Sequence, residues 1–324
     1  MSECSQSRRV AQLFSRDEIA YLTTASDLRG LLSLMTTWGL VAGALALFAW
    51  LPHWTTAVVA VIVIGGRQLA LAVLMHECAH RSLFRSRLLN EFCGQWLCGA
   101  PVWTHLTKYR KHHWRHHNHT GTEDDPDLGL VKPFPTSRRS LARKLLRDIT
   151  GIAGIKRIVA ILLMDFGYLQ YTASVDARVI PQQGRRVRDV LRCGLGNILP
   201  VFLTNAGLFL LLHALGQAAL YLLWVAAYLT TFSVFIRVRS IAEHACTDRS
   251  PDAFANTRTT RAGLLARLTV APHHVNYHLE HHLLMTVPHY RLAAMHRMLR
   301  ARLAPNEIHI ASGYLHVLRQ VSAA

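Results

Sequence analysis

From Gly30 to Leu51 the chain carries no charged residue of either sign. A run of about 22 such residues is long enough to cross a bilayer as a helix. A second run, residues 55–74, is nearly as apolar and is interrupted only by Arg67 and Gln68. Two more follow, at residues 195–213 and 218–236. Each pair is joined by a short connection, PHWT at residues 52–55 and ALGQA at residues 214–218. The expected fold is therefore an all-α membrane protein with four transmembrane helices in two hairpins, and a helical cap built from the rest.

Charge sets the orientation. The chain is 51% hydrophobic, yet its 36 Lys and Arg against 19 Asp and Glu leave a formal charge of +17. A basic soluble nucleic-acid binder would spread these charges. Here no Lys or Arg lies between Arg29 and Arg67, or between Arg192 and Arg237. Positive-inside counting then places the hairpin tips outside and both termini in the cytoplasm, a bacterial inner membrane being the expected one. Residues 1–29 form a cytoplasmic N-terminal arm, and residues 30–324 a single membrane domain whose segments 75–194 and 237–324 are cytoplasmic. The start, MSECSQSRRVAQLFSRDEIAYL, lacks the apolar run and cleavage site of a signal peptide. Within it Ser15 and Glu18 read as a capping box opening a short amphipathic helix.

Two further apolar stretches, residues 88–106 and 152–171, contain Glu91, Gln95 and Asp165. A crossing by the first would put His112–His119 on the side opposite His76. Both are expected as interfacial or half-buried helices on the cytoplasmic side. The six cysteines, 4, 78, 93, 98, 193 and 246, form no CxxC pair and read as free thiols.

Twenty histidines are a high count, and most fall on the cytoplasmic side. HECAH at residues 76–80 matches the His-Glu-x-x-His helix signature of a zinc peptidase, with Glu77 as base. The same letters are also His-x-x-x-His, a plain i,i+4 pair, with Cys78 off the face that His76 and His80 share. His113, His116 and His117 in KHHWRHHNHT have the spacing i, i+3, i+4, and His278, His281 and His282 in NYHLEHHL repeat it. Such offsets bring side chains to one face of a helix. A catalytic zinc takes three protein ligands. These eight imidazoles, with His244 at the end of the fourth span, suit two metals with about four each. Imidazole alone allows iron, zinc, copper or nickel.

HECAH, HWRHH and HLEHH resemble the three histidine boxes of the membrane fatty acid desaturases and related hydroxylases. The flanking HHNHTGTEDDPDL and NYHLEHHLLMTVPHYRL agree, and the likeness runs from about Arg67 to Arg302. It implies two iron ions, O2 as cosubstrate, a four-helix membrane bundle with a cytoplasmic cap, and a ninth ligand at His244. Some relatives place an asparagine one turn before that ligand, where this chain has Ser240. The implied activity is that of a non-haem di-iron oxidoreductase: desaturation, with hydroxylation or ketone formation as the alternative on the same scaffold. Relatives act on acyl lipids, carotenoids and some amino-acid-derived metabolites. The intramembrane zinc peptidase is a remote alternative, since it leaves two histidine groups unused and the later spans carry no internal Asp.

Glu77, Asp127, Glu243 and Glu280 are candidates to accept the distal N–H of a ligand ring and fix its tautomer. Asp124 and Asp125 read as turn residues around Pro126. His112, His119, His273 and His274 flank the boxes out of register, while His53, His213, His289, His296, His309 and His316 read as surface or interface groups. The chain shows no flavin, nicotinamide or His-Pro-Gly-Gly haem signature. Electrons are therefore expected from a separate ferredoxin- or cytochrome-type carrier, attracted by the basic face. A hydrophobic substrate is expected to enter between the spans. Arg67 is expected to snorkel to the interface or, with Gln68, to contact a polar head.

Overall fold

The computed structural model describes residues 10–323. The first nine residues of the expected N-terminal arm, Cys4 among them, lie outside it. Helix α1 (Arg16–Thr23) opens on the capping box read from the sequence: Glu18 N donates to Ser15 Oγ at 3.2 Å, and Ser15 N donates to Glu18 Oε2 at 2.9 Å. Helix α2 (Asp27–Trp50) starts at an N-cap serine, Ser26, with Asp27 in its positive-dipole first turn. Three residues later α3 (Trp54–His80) begins, and it ends where Arg81 turns left-handed at φ 58°.

Cap helices α4 (Leu106–His119), α5 (Arg138–Ile149) and α6 (Ile152–Asp165) follow. Then come α7 (Val187–Ala214), α8 (Tyr221–Leu229) and α9 (Thr231–His244). The C-terminal part holds the short helices α10 (Leu264–Leu268) and α11 (His278–Leu283), then α12 (His289–Arg302) and α13 (Tyr314–Val321). One small parallel pair, Thr259–Thr260 with Ile310–Ala311, ties the start of this part to its end.

Four helical segments are long and apolar enough to cross a membrane: Asp27–Trp50, Trp54–His80, Val187–Ala214 and Ala218–His244. Three of them outrun the apolar stretches of the sequence. α3 continues six residues past Leu74, α9 eight past Ile236, and α7 starts eight before Leu195. The reason is that the polar residues adjoining each stretch can continue the helix, so the hydrogen-bond ladder has no cause to stop at the apolar boundary. The fourth segment breaks at Thr230 (φ −107°, ψ −86°) between α8 and α9.

Lipid offers no hydrophobic drive between spans, so close packing of small residues takes over. Gly65 of α3 shows this: a Cβ there would lie 2.1 Å from Thr231 Oγ1, which itself donates to Val61 O at 2.7 Å. Gln68 Nε2 donates to Trp224 O at 2.9 Å, and Trp224 stacks on Trp38 of α2 at 5.7 Å.

Residues 88–106 do not form one long helix. They comprise a helix (Arg87–Phe92), a π-helical turn (Cys93–Gly99) and a 3-10 turn (Ala100–Val102), with Cys93, Cys98 and Val102 buried in the core shared with α3. The polar groups that argued against spanning find partners. Arg110 pairs with Glu91 at 2.8 Å, Leu106 N donates to Gln95 Oε1, and Lys108 Nζ lies 2.9 Å from Asp165.

Arg67 departs from expectation. It is only 4% exposed and does not snorkel; its Nη2 donates to Arg267 O and Leu268 O, both at 2.9 Å. Those carbonyls, at the end of α10, are the acceptors a helix C-terminus leaves open.

Candidate metal centre

The site forms where the ends of two spans meet two cap helices. His76 and His80 lie in the last turns of α3, their rings 4.8 Å apart. Arg110 fixes α4 against them: Nε donates to Ala79 O at 2.9 Å and Nη2 to Cys78 O at 3.2 Å. It thereby caps α3 while presenting the second box to the first. His113 comes within 4.5 Å of His76, centroid to centroid, and His117 within 4.9 Å of His80. α11 closes the site, with His281 4.5 Å from His76 and 4.8 Å from His117. Cys78 is buried on the other face of α3, against Gly94.

The nine histidines singled out in the sequence fall into two groups whose ring nitrogens lie within 4.8 Å of one another. His76, His80, His113, His117 and His281 make the first; His116, His244, His278 and His282 make the second. His117 Nε2 is 3.0 Å from both His113 Nε2 and His281 Nε2, and His278 Nε2 is 2.8 Å from His244 Nε2. Two imidazole nitrogens each about 2.1 Å from one metal, at right angles, are about 3 Å apart. The groups adjoin, His117 and His282 stacking at 4.3 Å.

The donor set fits a metal on a second count. Both ring nitrogens of His76 and of His80 are buried with no hydrogen-bond partner among the described residues. Leaving such a group unpaired costs about 1–3 kcal/mol. Burial, followed by the neighbouring imidazoles, holds His113, His117, His278, His281 and His282 well below the ordinary histidine value. They are neutral at pH 7, the form that binds a metal. His116 differs. Burial disfavours its charge, but the hydrogen bond to Asp125 and the nearby charges of Asp127 and Asp125 outweigh it and raise the value.

Those acceptors are distributed otherwise than the sequence indicated. His116 Nδ1 donates to Asp125 Oδ1 at 2.8 Å, and Asp127 N donates to the same oxygen at 2.8 Å. Asp125 is thus a turn residue, as expected, and also the residue that holds a box histidine. Asp127 instead meets His112 at 2.8 Å, its other oxygen lying 3.7 Å from His116. Glu243 lies 3.4 Å from His278 Nδ1 and pairs with Arg239 at 2.6 Å.

Glu280 reaches no box ring. Fully buried, it takes hydrogen bonds from His296 and Thr259. Glu77 accepts from His289 N at 2.8 Å and Ser82 Oγ at 3.2 Å and stays 3.6 Å from His76. His244 finds a partner that is not a carboxylate, its Nδ1 donating to Asn256 O at 2.9 Å.

His289 is therefore not the surface group the sequence suggested, while His296 stays partly exposed as it reaches Glu280. His289 is 5% exposed, with its Nε2 3.0 Å from Ser33 Oγ and its ring 4.8 Å from His273, which bonds Thr37 at 2.8 Å. His112 is buried beside the site but outside both groups, and His119 is exposed at the end of α4.

A family model described as fatty acid desaturase matches residues 48–314. The chain is 27% identical over 250 residues to the dihydrorhizobitoxine desaturase of Bradyrhizobium elkanii, a match covering 74% of this chain and 66% of that protein. It is 25% identical over 228 residues to the beta-carotene ketolase of a Paracoccus species, covering 68% and 72%. Over 110 residues it is 32% identical to the sn-1 acyl-lipid omega-3 desaturase (ferredoxin) of a Synechocystis species, covering 34% and 30%. The chain thus spans just under two thirds of the length of the Bradyrhizobium protein.

Proposed function

The chain belongs to the fatty acid desaturase family, and from that premise we propose that it is an O2-dependent di-iron membrane desaturase. Its substrate is an acyl lipid or another aliphatic molecule, and its product carries a new C=C bond. The balance is two hydrogens from adjacent carbons, two electrons and two protons consumed with one O2, leaving two waters. The electrons come from a separate ferredoxin- or cytochrome-type carrier. The four spans pair as two hairpins, and the cap with the histidine boxes faces the cytoplasm.

One observation carries this reading: nine imidazoles gathered five and four, with nitrogens within 4.8 Å in each group. Five imidazoles exceed what a tetrahedral zinc takes. Two adjoining irons would supply the activation of O2, His76, His80, His113, His117 and His281 holding one and His116, His244, His278 and His282 the other. The rest of the work belongs to the chain. Asp125 and Asn256 hold the Nδ1 protons of His116 and His244, which turns their Nε2 atoms towards the centre. Arg110 locks the first and second boxes in register. Glu77, the base of a zinc peptidase reading, accepts from both His289 N and Ser82 at one oxygen, Oε2, which ties it to the cap and favours a positioning role.

Ketone formation or hydroxylation is the second reading, favoured by the Paracoccus ketolase, whose match covers 68% of this chain. Mass spectrometry of lipids and metabolites from cells with and without the gene separates the two: loss of two hydrogens marks desaturation, gain of one oxygen the alternative. Purified protein should hold about two irons per chain; stoichiometric zinc without iron would sink the di-iron reading. A reporter fused after Pro52 should read as external and one after Ala324 as internal, and the reverse would overturn the orientation.

A further inference from the structure

The first hairpin tip supplies a depth scale. Trp50 ends α2 and Trp54 begins α3, and they are 79% and 71% exposed on either side of Pro52 and His53. Exposed tryptophans flanking a polar tip mark a membrane margin. Counted from Trp54 at 1.5 Å per residue, Gly66 lies about 18 Å along α3 and Arg67 about 20 Å. Counted back from Trp50, Thr37 lies about 20 Å along α2. A hydrocarbon core is about 30 Å thick, so all three residues sit about 10 Å inside its far margin. Tilt of either helix, or a tip standing clear of the core, moves them further from that margin.

One segment after the fourth span reaches all three. A Cβ on Gly66 would be 2.1 Å from Leu268 O, Arg67 Nη2 donates to Arg267 O and Leu268 O, and His273 Nε2 lies 2.8 Å from Thr37 Oγ1. The chain therefore descends along α10 and turns back at Pro272–His274, where His273 and His274 both take left-handed φ values of 49° and 57°. Ala262 and Ala266 pack with Val234, Phe235 and Val238 of α9, so α10 is wedged between the second and fourth spans.

Its surface and its backbone suit lipid. Leu264 and Leu265 are 77% and 73% exposed. Backbone at this depth must find its partners within the protein. Leu265 O accepts from Thr269 Oγ1 at 2.7 Å, Ala266 O from Ala271 N at 2.7 Å, and the next two carbonyls from Arg67. Arg67 in turn has those carbonyls as partners, which an ionised group inside a membrane requires. Arg267 is exposed, but it shares a cavity with Tyr277 and His296 of the cap, and its length lets the charge snorkel to headgroup level.

We propose that residues 262–274, within the segment the sequence assigns wholly to the cytoplasm, form a re-entrant loop that enters the leaflet beneath the cap and presents Leu264 and Leu265 to its acyl chains. The proposal rests on the membrane reading of the spans and not on the chemistry of the metal centre. Its consequence is mechanical. His278 follows His274 by four residues, so the third box is moored to the bilayer on its N-terminal side.

The test is photo-crosslinking of the unaltered full chain in phosphatidylcholine liposomes. The lipid carries a diazirine either halfway along one acyl chain or at the headgroup, and adducts are mapped on tryptic peptides. Cleavage at arginine isolates residues 262–267 with both leucines, residues 193–237 with the exposed Leu203 of α7, and residues 116–138 with the second box and its acidic turn. The acyl probe should mark 262–267 as it marks 193–237 and leave 116–138 bare. Marking of 262–267 by the headgroup probe alone would place α10 at the membrane surface and overturn the proposal. Absence of marking by either probe would mean that protein covers the two leucines, and would overturn it equally. Marking of 193–237 in the same sample separates either failure from a failure of the membrane reading. The readout uses no iron, O2 or electron donor, so the desaturase reading stands apart from it.

Discussion

Asp125→Asn removes one charge from the second metal group and nothing from the first. The Asp125 side chain is 6% exposed and that of His116 4%, and the two are joined at 2.8 Å. Asparagine keeps the shape and can still accept from Asp127 N, so the turn survives. What changes is a hydrogen bond to a charged acceptor, worth about 1.5–3 kcal/mol, for a neutral one worth about 0.5–1.5 kcal/mol. The difference between their midpoints, about 1.25 kcal/mol, is a factor of just under ten in affinity. Asp127 cannot substitute from where it stands, with its nearer oxygen 3.7 Å from His116 Nδ1. The assay is iron per chain across a chelator titration. The variant should lose one iron at about tenfold lower chelator than wild type, and keep the other at the wild-type midpoint. Parallel release of both irons at wild-type midpoints would refute the role given to Asp125. Loss of both at the lower chelator would refute the division into two groups.

Three further outcomes are expected. Gly65→Ala forces a methyl to 2.1 Å from a hydroxyl already bonded to Val61 O, an overpacking of about 1–3 kcal/mol that should lower the melting temperature by about 5 °C; an unchanged melting curve would contradict the tight crossing of α3 and α9. Arg110→Gln leaves the carbonyls of Cys78 and Ala79 without their guanidinium and should reduce iron content at the first group before the second, measured with the same chelator titration. In metal-free protein, five buried histidines hold values well below the ordinary one, so as pH falls through about 6.5 the unfolded chain takes up protons that the folded chain does not. Stability is therefore lost below that pH and regained above it, and thermal melts of chelator-treated protein between pH 8 and pH 5.5 should show the melting temperature falling with acidification.

Spans and boxes were readable in the chain because both are periodic along one helix. Which histidine joins which metal was not. The sequence treats His113, His116 and His117 as one face. The structure gives His113 and His117 to the first group and His116 to the second, and it reverses the pattern in the third box, where His278 and His282 stay together and His281 crosses over. The cause is angular. At 3.6 residues per turn, i+4 falls about 40° to one side of i and i+3 about 60° to the other, so the i,i+4 pair converges and the odd member diverges. The supporting groups were harder still to see. Asp125 carries a turn signature that conceals its second bond, and Glu77 and Glu280 point at residues 212 and 16 positions away, a matter of how the cap closes. Arg67 looked like a snorkelling residue because its acceptors, the carbonyls of α10, leave no mark in side-chain composition.

On the di-iron reading proposed above, the crossing of His116 and His281 also sets an order of assembly. A nascent chain that has emerged as far as residue 277 presents four of the five donors of the first group but only two of the four of the second. The first iron can thus be captured while the last helices are still being made. The second must wait for α11 to arrive, and His281 then seals the first site as His278 and His282 complete the other. A centre built by interleaving would be filled in sequence, with the last box to be synthesised closing both histidine groups.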